Sequence, residues 1–264
     1  MTNLRPYQEY LQHEVRKSLA QGHKDIVSVL ATGGGKTVLF IDMATKAVRN
    51  GFTVLLITES KSLFNQTARY ADMIGINAES NRNMVIKPNK IYISMAQTLT
   101  RRNKIKQQLN ALGKRLLIII DEVHIKTSCS SLDDIPQAIR LGFTATPHAK
   151  HLQDYFKHLV VGAQPKELIE GGWLTPAKYY ERSVVDSSSI KIDKGEFDVK
   201  DQERVLNTET HNALVEDLNK FKYKKCIIFC ASIRHCANVV EYLRANNIRC
   251  AEVHSEVNEL ETLS

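Results

Sequence analysis

The sequence predicts an α/β fold, a parallel sheet covered by helices on both faces, followed by a partial second unit of the same kind. Three observations predict it. Short apolar, β-branched runs alternate with amphipathic stretches of helical period, a glycine-rich turn joins the first run to its helix, and a later apolar run ends in two acidic residues. Strands are expected near 26–30, 53–58, 91–94, 116–120 and 140–144. Helices are expected near 7–20, 36–49, 60–74, 95–110, 133–138 and 151–157. Leu116-Leu-Ile-Ile-Ile120 is too short and too β-branched for a helix, which makes it a strand buried on both faces. This first domain runs over 1–176. A linker or irregular segment follows over 177–208, least periodic at 183–208 around Ser187-Ser-Ser189. A partial second domain, 209–264, begins with a helix near 208–221. The strand Cys226-Ile-Ile-Phe-Cys230, a helix over 232–246 and the strand 248–254 complete it.

The chemistry lies in two of these junctions. Ala31-Thr-Gly-Gly-Gly-Lys-Thr37 stands between the run Ile26-Val-Ser-Val-Leu30 and the amphipathic stretch Val38–Val48, the strand, loop and helix of a phosphate cradle. Thr32, Gly33, Gly34 and Gly35 let backbone N–H groups close around phosphate oxygens, with the helix N-terminus adding its positive dipole end. Lys36 reaches the β and γ phosphates and the Thr37 hydroxyl ligates Mg²⁺. The first glycine of the general pattern falls at position 30, where this chain has Leu. The run 116–120 then delivers Asp121-Glu-Val-His124 at the edge where parallel sheets place their chemistry. Asp121 suits the metal and Glu122 the attacking water, two separate tasks that need two carboxylates.

Asp-Glu-x-His beside Ala-Thr-Gly-Gly-Gly-Lys-Thr resembles the superfamily 2 helicases of the DEAD/DEAH type, and Glu167–Pro176 with Leu4-Arg-Pro-Tyr-Gln8 adds a more local likeness to RadD-type repair helicases. That resemblance implies a RecA-like P-loop NTPase domain followed by an incomplete second RecA-like domain. It places Lys36, Asp121, Glu122 and His124 in the catalytic set, with ATP and Mg²⁺ as cofactors. Leu4-Arg-Pro-Tyr-Gln8 resembles the family's N-terminal element, implying that Arg5 and Gln8 serve the nucleotide and that the Gln8 amide pairs with the adenine edge. Thr53–Gln66 resembles motif Ia, with Thr58, Ser60 and Lys61 facing nucleic acid, and Ile91–Leu99 resembles the next strand with its Gln97-Thr98-Leu turn. Leu141–Pro147 resembles motif III, in which Thr144 and Thr146 couple the nucleotide site to the nucleic-acid site. Glu167–Pro176 resembles the exit from the first motor domain, and 225–232 with 253–256 the opening of the second.

The implied activity is nucleic-acid-dependent ATP hydrolysis of the helicase type, with DNA expected over RNA although no motif displays 2′-OH contacts. About 85 residues follow the first domain, and the family's Gln-x-x-Gly-Arg-x-x-Arg box has no match. An arginine finger contributes roughly 10³–10⁵ in rate. A truncated or split helicase is therefore expected, slow alone and completed by a second polypeptide. The alternatives are a non-catalytic, ATP-responsive nucleic-acid clamp and a P-loop kinase, the latter disfavoured by the helicase order of the motifs. A net charge of +7 suits a polyanionic partner. Five cysteines without CxxC pairing are expected to be buried free thiols rather than zinc ligands. No signal-peptide region and no run approaching ~18 apolar residues is present, from which a cytoplasmic protein without membrane contact is expected.

Overall fold

The computed structural model describes residues 3–59, 64, 65, 67–69, 72, 78, 79, 85–130, 132, 134–182, 184, 185, 187–193, 196–221 and 225–254. The chain divides into two compact units, Met1–Ala177 and Lys178–Ser264.

The first unit begins with α1 (Pro6–Ala20), β1 (Asp25–Val29), α2 (Lys36–Arg49), β2 (Thr53–Thr58), β3 (Ala78–Glu79) and β4 (Ile91–Met95). It continues through α3 (Ala96–Thr100), α4 (Asn103–Ala111), β5 (Leu116–Asp121), α5 (Lys126–Ser130), β6 (Ile139–Thr144), α6 (Leu152–Tyr155), β7 (His158–Val161) and α7 (Pro165–Glu170). Seven strands form one sheet in the order β3-β4-β2-β5-β6-β1-β7, and every pairing is parallel.

Strand periodicity sorts the core into two layers. Val27, Val29, Leu55, Ile57, Ile118 and Ile120 pack with Ala96, Leu99, Ile105 and Leu109 of α3 and α4. Their alternates Ile26, Val54, Leu56, Leu117, Ile119, Leu141 and Phe143 pack with Leu11 and Val15 of α1 and Leu39, Phe40 and Ile41 of α2. Helices thus cover both faces, and the register sets Val29 beside Thr144 and Asp121 beside Phe143. The ends of β1, β5 and β6 meet along one edge of the sheet.

Several elements differ from expectation. The stretch 133–138 is not helical among its described residues; the helix lies earlier, at α5, because Pro136 disfavours helical backbone at Ile135. The 95–110 helix is two, broken at Arg101 and Arg102. The helix near 151–157 is the single turn of α6, after which β7 adds an edge strand on β1. Of the helix expected over 60–74, residues 64, 65, 67–69 and 72 are described and are helical.

The second unit contains β8 (Ile192–Asp193) and β9 (Glu196–Phe197), paired as a hairpin, then α8 (Val199–Val205), α9 (Thr208–Phe221) and α10 (Ile233–Ala245). The segment expected to be irregular therefore holds a hairpin and a helix, the latter capped by Asp198, whose Oδ1 accepts from the Asp201 N–H at 3.0 Å. The apolar runs 226–230 and 248–254 form no ladder among the described residues, which corrects both expected strands. Ile227 and Phe229 are instead 82% and 93% exposed. An apolar run marks what could be buried; a strand also needs a neighbour to pair with. Of the cysteines only Cys129 is buried, and Cys226 is exposed, against the expectation of buried thiols. No helix among the described residues is long and apolar enough to cross a membrane.

Candidate nucleotide-binding site

The site starts where β1 runs out. Leu30 still extends the ladder, its N–H donating to the Thr144 carbonyl at 3.1 Å, and the chain then turns through Thr32–Gly35 into α2. Gly33 and Gly35 have φ of +78° and +79°, left-handed backbone in which a side chain is strained. Gly34 is required for space, since a Cβ there would lie 2.9 Å from the Ala31 carbonyl oxygen.

α1 holds this loop from the side. The Tyr7 hydroxyl donates to the Gly34 carbonyl at 3.0 Å, and Gln8 Nε2 donates to the carbonyls of Gly34 at 2.9 Å and Gly35 at 3.3 Å. Both side chains engage the loop's carbonyls, not its amides. Gln8 Oε1 accepts from the Arg5 N–H at 2.9 Å, and the residue is 3% exposed. The expected adenine-reading amide is therefore turned inward in this structure. A glutamine at the third helical position reaches back to cap its own helix and holds the loop with its remaining hydrogens. Arg5 sends Nη1 to the Tyr7 hydroxyl at 3.0 Å and lies 5.1 Å over the Trp173 ring.

Opposite the loop, β5 ends in the acidic pair. Glu122 has φ of +51°, uncommon for a residue with a side chain. Lys36 Nζ lies 3.5 Å from Glu122 Oε1. Asp121 is buried, and its carboxyl is pushed up to about 6. Desolvation is the main cause and repulsion by Glu122 adds to it; Lys36 and the Glu122 N–H, which donates to Asp121 Oδ1 at 3.1 Å, oppose them. His124 Nδ1 lies 3.2 Å from Glu122 Oε2 and 3.0 Å from Thr144 Oγ1. Thr144 Oγ1 in turn accepts from the Thr146 N–H at 3.0 Å. Lys36, Glu122, His124, Thr144 and Thr146 are thus one connected set.

Thr37 stands in the first turn of α2, where its hydroxyl and the Asp121 carboxylate offer hard oxygen donors suited to Mg²⁺. The fit is physical as well as positional: a buried carboxylate next to a second one, with one ammonium nearby, is short of positive charge. Among the described residues, no group of three or more His, Cys, Asp and Glu could hold a metal by itself. An ion here would complete its shell with phosphate and water.

The expected nucleic-acid contacts fare differently. Thr58 is 1% exposed at the end of β2. Ser60 and Lys61 lie outside the described residues. Gln97 is exposed and Thr98 half-buried on α3. The motifs that contain Tyr7, Trp173 and Leu174 give these three no individual role, yet the structure packs Tyr7 and Leu174 on the glycine loop and Trp173 on Tyr7. Tyr7 sits inside the Leu4–Gln8 element, whereas the other two are some 140 residues from the loop they approach.

Asp121 gives a stability prediction. Its folded-state value exceeds that of the unfolded chain, 3.8, so the neutral acid favours folding and that contribution is lost as pH rises through about 6. At neutral pH the ionised form costs on the order of 3 kcal/mol. Asp121→Asn keeps an acceptor for the Glu122 N–H and removes the charge. The unliganded variant is expected to melt several degrees higher than the parent at pH 8, with the gap closing towards pH 4. Thermal melts at both pH values check this; equal midpoints at pH 8 would show that the carboxylate carries no such cost.

Residues 1–149 match the model of the family described as type III restriction enzyme, res subunit. The chain belongs to this family. Its first unit is the RecA-like N-terminal domain of the superfamily 2 helicase type. Among similar proteins, IRC3 of Saccharomyces cerevisiae, named as an ATP-dependent helicase, is 25% identical, covering 98% of this chain and 41% of that one. A 51.5 kDa protein of a Lactococcus phage is 24% identical over 85% of this chain and 48% of its own. The type I restriction enzyme EcoKI endonuclease subunit of Escherichia coli is 24% identical over 92% of this chain and 26% of its own. The chain thus spans less than half the length of these relatives. Among solved structures, the DUF1998 helicase MrfA matches with a TM-score of 0.55 at 15% identity, over 94% of this chain and 39% of that one. The Type ISP restriction-modification enzyme LlaGI, solved with a DNA substrate mimic, matches with a TM-score of 0.53 at 14% identity, over 65% of this chain and 21% of that one. At these identities the two structures speak to the fold alone.

Proposed function

We propose that this chain binds Mg²⁺·ATP between the glycine loop and the acidic pair and hydrolyses it in response to DNA. The observation that carries the reading is the 3.5 Å ion pair between Lys36 and Glu122, continued through His124 to Thr144. In the unliganded chain Lys36 is paired with the carboxylate that must later act. An arriving triphosphate draws the ammonium onto its β and γ oxygens and releases Glu122. Glu122 then accepts a proton from a water whose oxygen attacks the γ-phosphorus, and the bond to the departing ADP oxygen breaks. His124 holds the second oxygen of Glu122, and Thr144 and Thr146 carry a change there into the β6 loop. A magnesium ion held by Thr37 and Asp121 would neutralise charge on the β and γ oxygens when bound.

A second reading is an ATP-responsive clamp with little turnover. It is favoured by the ion pair itself, in which Lys36 holds the carboxylate proposed as the base. On that view turnover needs a second polypeptide. DNA is the proposed partner because the net charge of +7 suits a polyanion and because the matching family is that of a restriction enzyme subunit.

Phosphate release by the purified chain, measured with single-stranded DNA, duplex DNA or RNA at rising KCl, tests both readings. The motor reading expects DNA to raise the rate and salt to abolish the stimulation. Tight ATP binding with a rate that no nucleic acid changes would leave the clamp. Absence of ATP binding would remove both.

A further inference from the structure

A cavity of about 520 Å³ opens beside the phosphate cradle in the first unit, lined by Tyr7 and Tyr10 of α1, Gly162 and Glu167 around the start of α7, and Trp173. Its volume lies within the range of small-ligand pockets, about 300–1,000 Å³. The cavity and the cradle share a wall, because Tyr7 lines the one and donates to Gly34 of the other.

Trp173 is held there by a specific arrangement. After α7 the chain turns back through Gly172, at φ of +71°, and the N–H groups of Trp173 and Leu174 both donate to the Leu168 carbonyl, at 2.8 and 3.0 Å. Gly171 makes room for the indole, since a Cβ there would lie 2.9 Å from Trp173 Cδ1. Leu174 then closes on the loop: a Cβ at Gly33 would lie 2.8 Å from Leu174 Cδ2. The indole meets the Tyr7 ring edge-on at 5.8 Å and carries the Arg5 guanidinium 5.1 Å from its centre. Even so, Trp173 remains 42% exposed. A large, partly open ring fixed beside a phosphate cradle offers a surface on which a planar group can stack.

With the Gln8 amide turned inward, we infer that Trp173 is the base-stacking residue of the nucleotide site and that the cavity it lines takes the purine of the bound triphosphate. Stacking on an aromatic plane favours a purine over the smaller pyrimidines. Glu167, at the same cavity, adds a polar contact for the base. Its Oε2 accepts from the Gln164 N–H at 2.7 Å, and its remaining lone pairs suit an exocyclic amino group, which adenine and guanine both carry.

This inference rests on the phosphate cradle of the proposed function, and tripolyphosphate separates the two. Trp173 is the only tryptophan, so its intrinsic fluorescence reports the cavity without a label. Titrations of Mg²⁺·ATP, Mg²⁺·GTP, Mg²⁺·CTP and Mg²⁺·tripolyphosphate are followed by fluorescence in the parent and by calorimetry in the parent, Trp173→Ala and Trp173→Phe. ATP is expected to quench Trp173 and tripolyphosphate to leave its emission unchanged. Trp173→Ala is expected to weaken ATP about tenfold, within the range for loss of one base–aromatic stack, while tripolyphosphate binds as before. Trp173→Phe recovers most of the loss. Equal binding of ATP and tripolyphosphate by the parent overturns the inference and leaves the cradle standing. Equal weakening of both ligands by Trp173→Ala and Trp173→Phe also overturns it, assigning the indole to support of the loop. Failure of the parent to bind tripolyphosphate removes the cradle, and the inference with it.

Discussion

Glu122→Gln is expected to bind Mg²⁺·ATP at least as tightly as the parent and to hydrolyse it about 10²- to 10⁴-fold more slowly, the range that a positioned general base contributes. Glutamine keeps the shape and one acceptor oxygen, so the contact with His124 Nδ1 can persist through the proton of the imidazole. It cannot take a proton from water. Two further consequences separate loss of the base from damage to the site. The ion pair with Lys36 is gone, so the ammonium no longer leaves a carboxylate when phosphate arrives. The repulsion that helps to push Asp121 up to about 6 is gone as well, so metal binding should extend to lower pH. Single-turnover hydrolysis and a Mg²⁺ titration at pH 5.5 measure both. A parent-like rate in this variant would remove Glu122 as the base.

Lys36→Ala is expected to lose nucleotide binding by roughly 30- to 5,000-fold, the affinity equivalent of the 2–5 kcal/mol cost of truncating one partner of a buried charge pair. The loss has two parts. The triphosphate loses its closest cation, and the acidic pair loses the one charge in the site that opposes its mutual repulsion. Asp121 should therefore move further above its already raised value and become a poorer metal ligand at neutral pH. Lys36→Arg keeps the charge but brings a planar fork to a place fitted to a compact ammonium, so only partial recovery is expected. Equilibrium binding of a fluorescent ATP analogue, with a melt to verify folding, gives the comparison. Binding within threefold of the parent would place the triphosphate elsewhere.

The parts of the site that are contiguous in the chain were legible in advance. Thr32–Thr37 needs left-handed glycines directly before a helix, and Asp121–His124 needs a buried run directly before it, so each can be recognised from its own neighbours. The five long central strands were legible for a related reason. Burial on both faces leaves short runs dominated by apolar, β-branched residues. The edge strand β7 was not, because Leu159 and Val161 are each 52% exposed and the run is short. Two runs of the second unit, 226–230 and 248–254, read as strands because they are apolar and β-branched, yet pairing depends on a neighbour that the run itself does not specify.

The chain's sequence alone determined the family type of the first domain, the glycine loop and the acidic pair at a strand end, because local backbone demands and strand burial leave marks on adjacent residues. Only the tertiary structure decided that Gln8 is spent on the loop, that His124 joins Glu122 to Thr144, and that Trp173 stands beside the cradle. Apart from the neighbouring Glu122 and His124, those contacts join residues 20 to 141 positions apart, and each side chain could have met other partners with equal local ease. Which partner it met was settled by the parallel register that brings the ends of β1, β5 and β6 to one edge, and by the turn that returns the chain from α7 to the glycine loop.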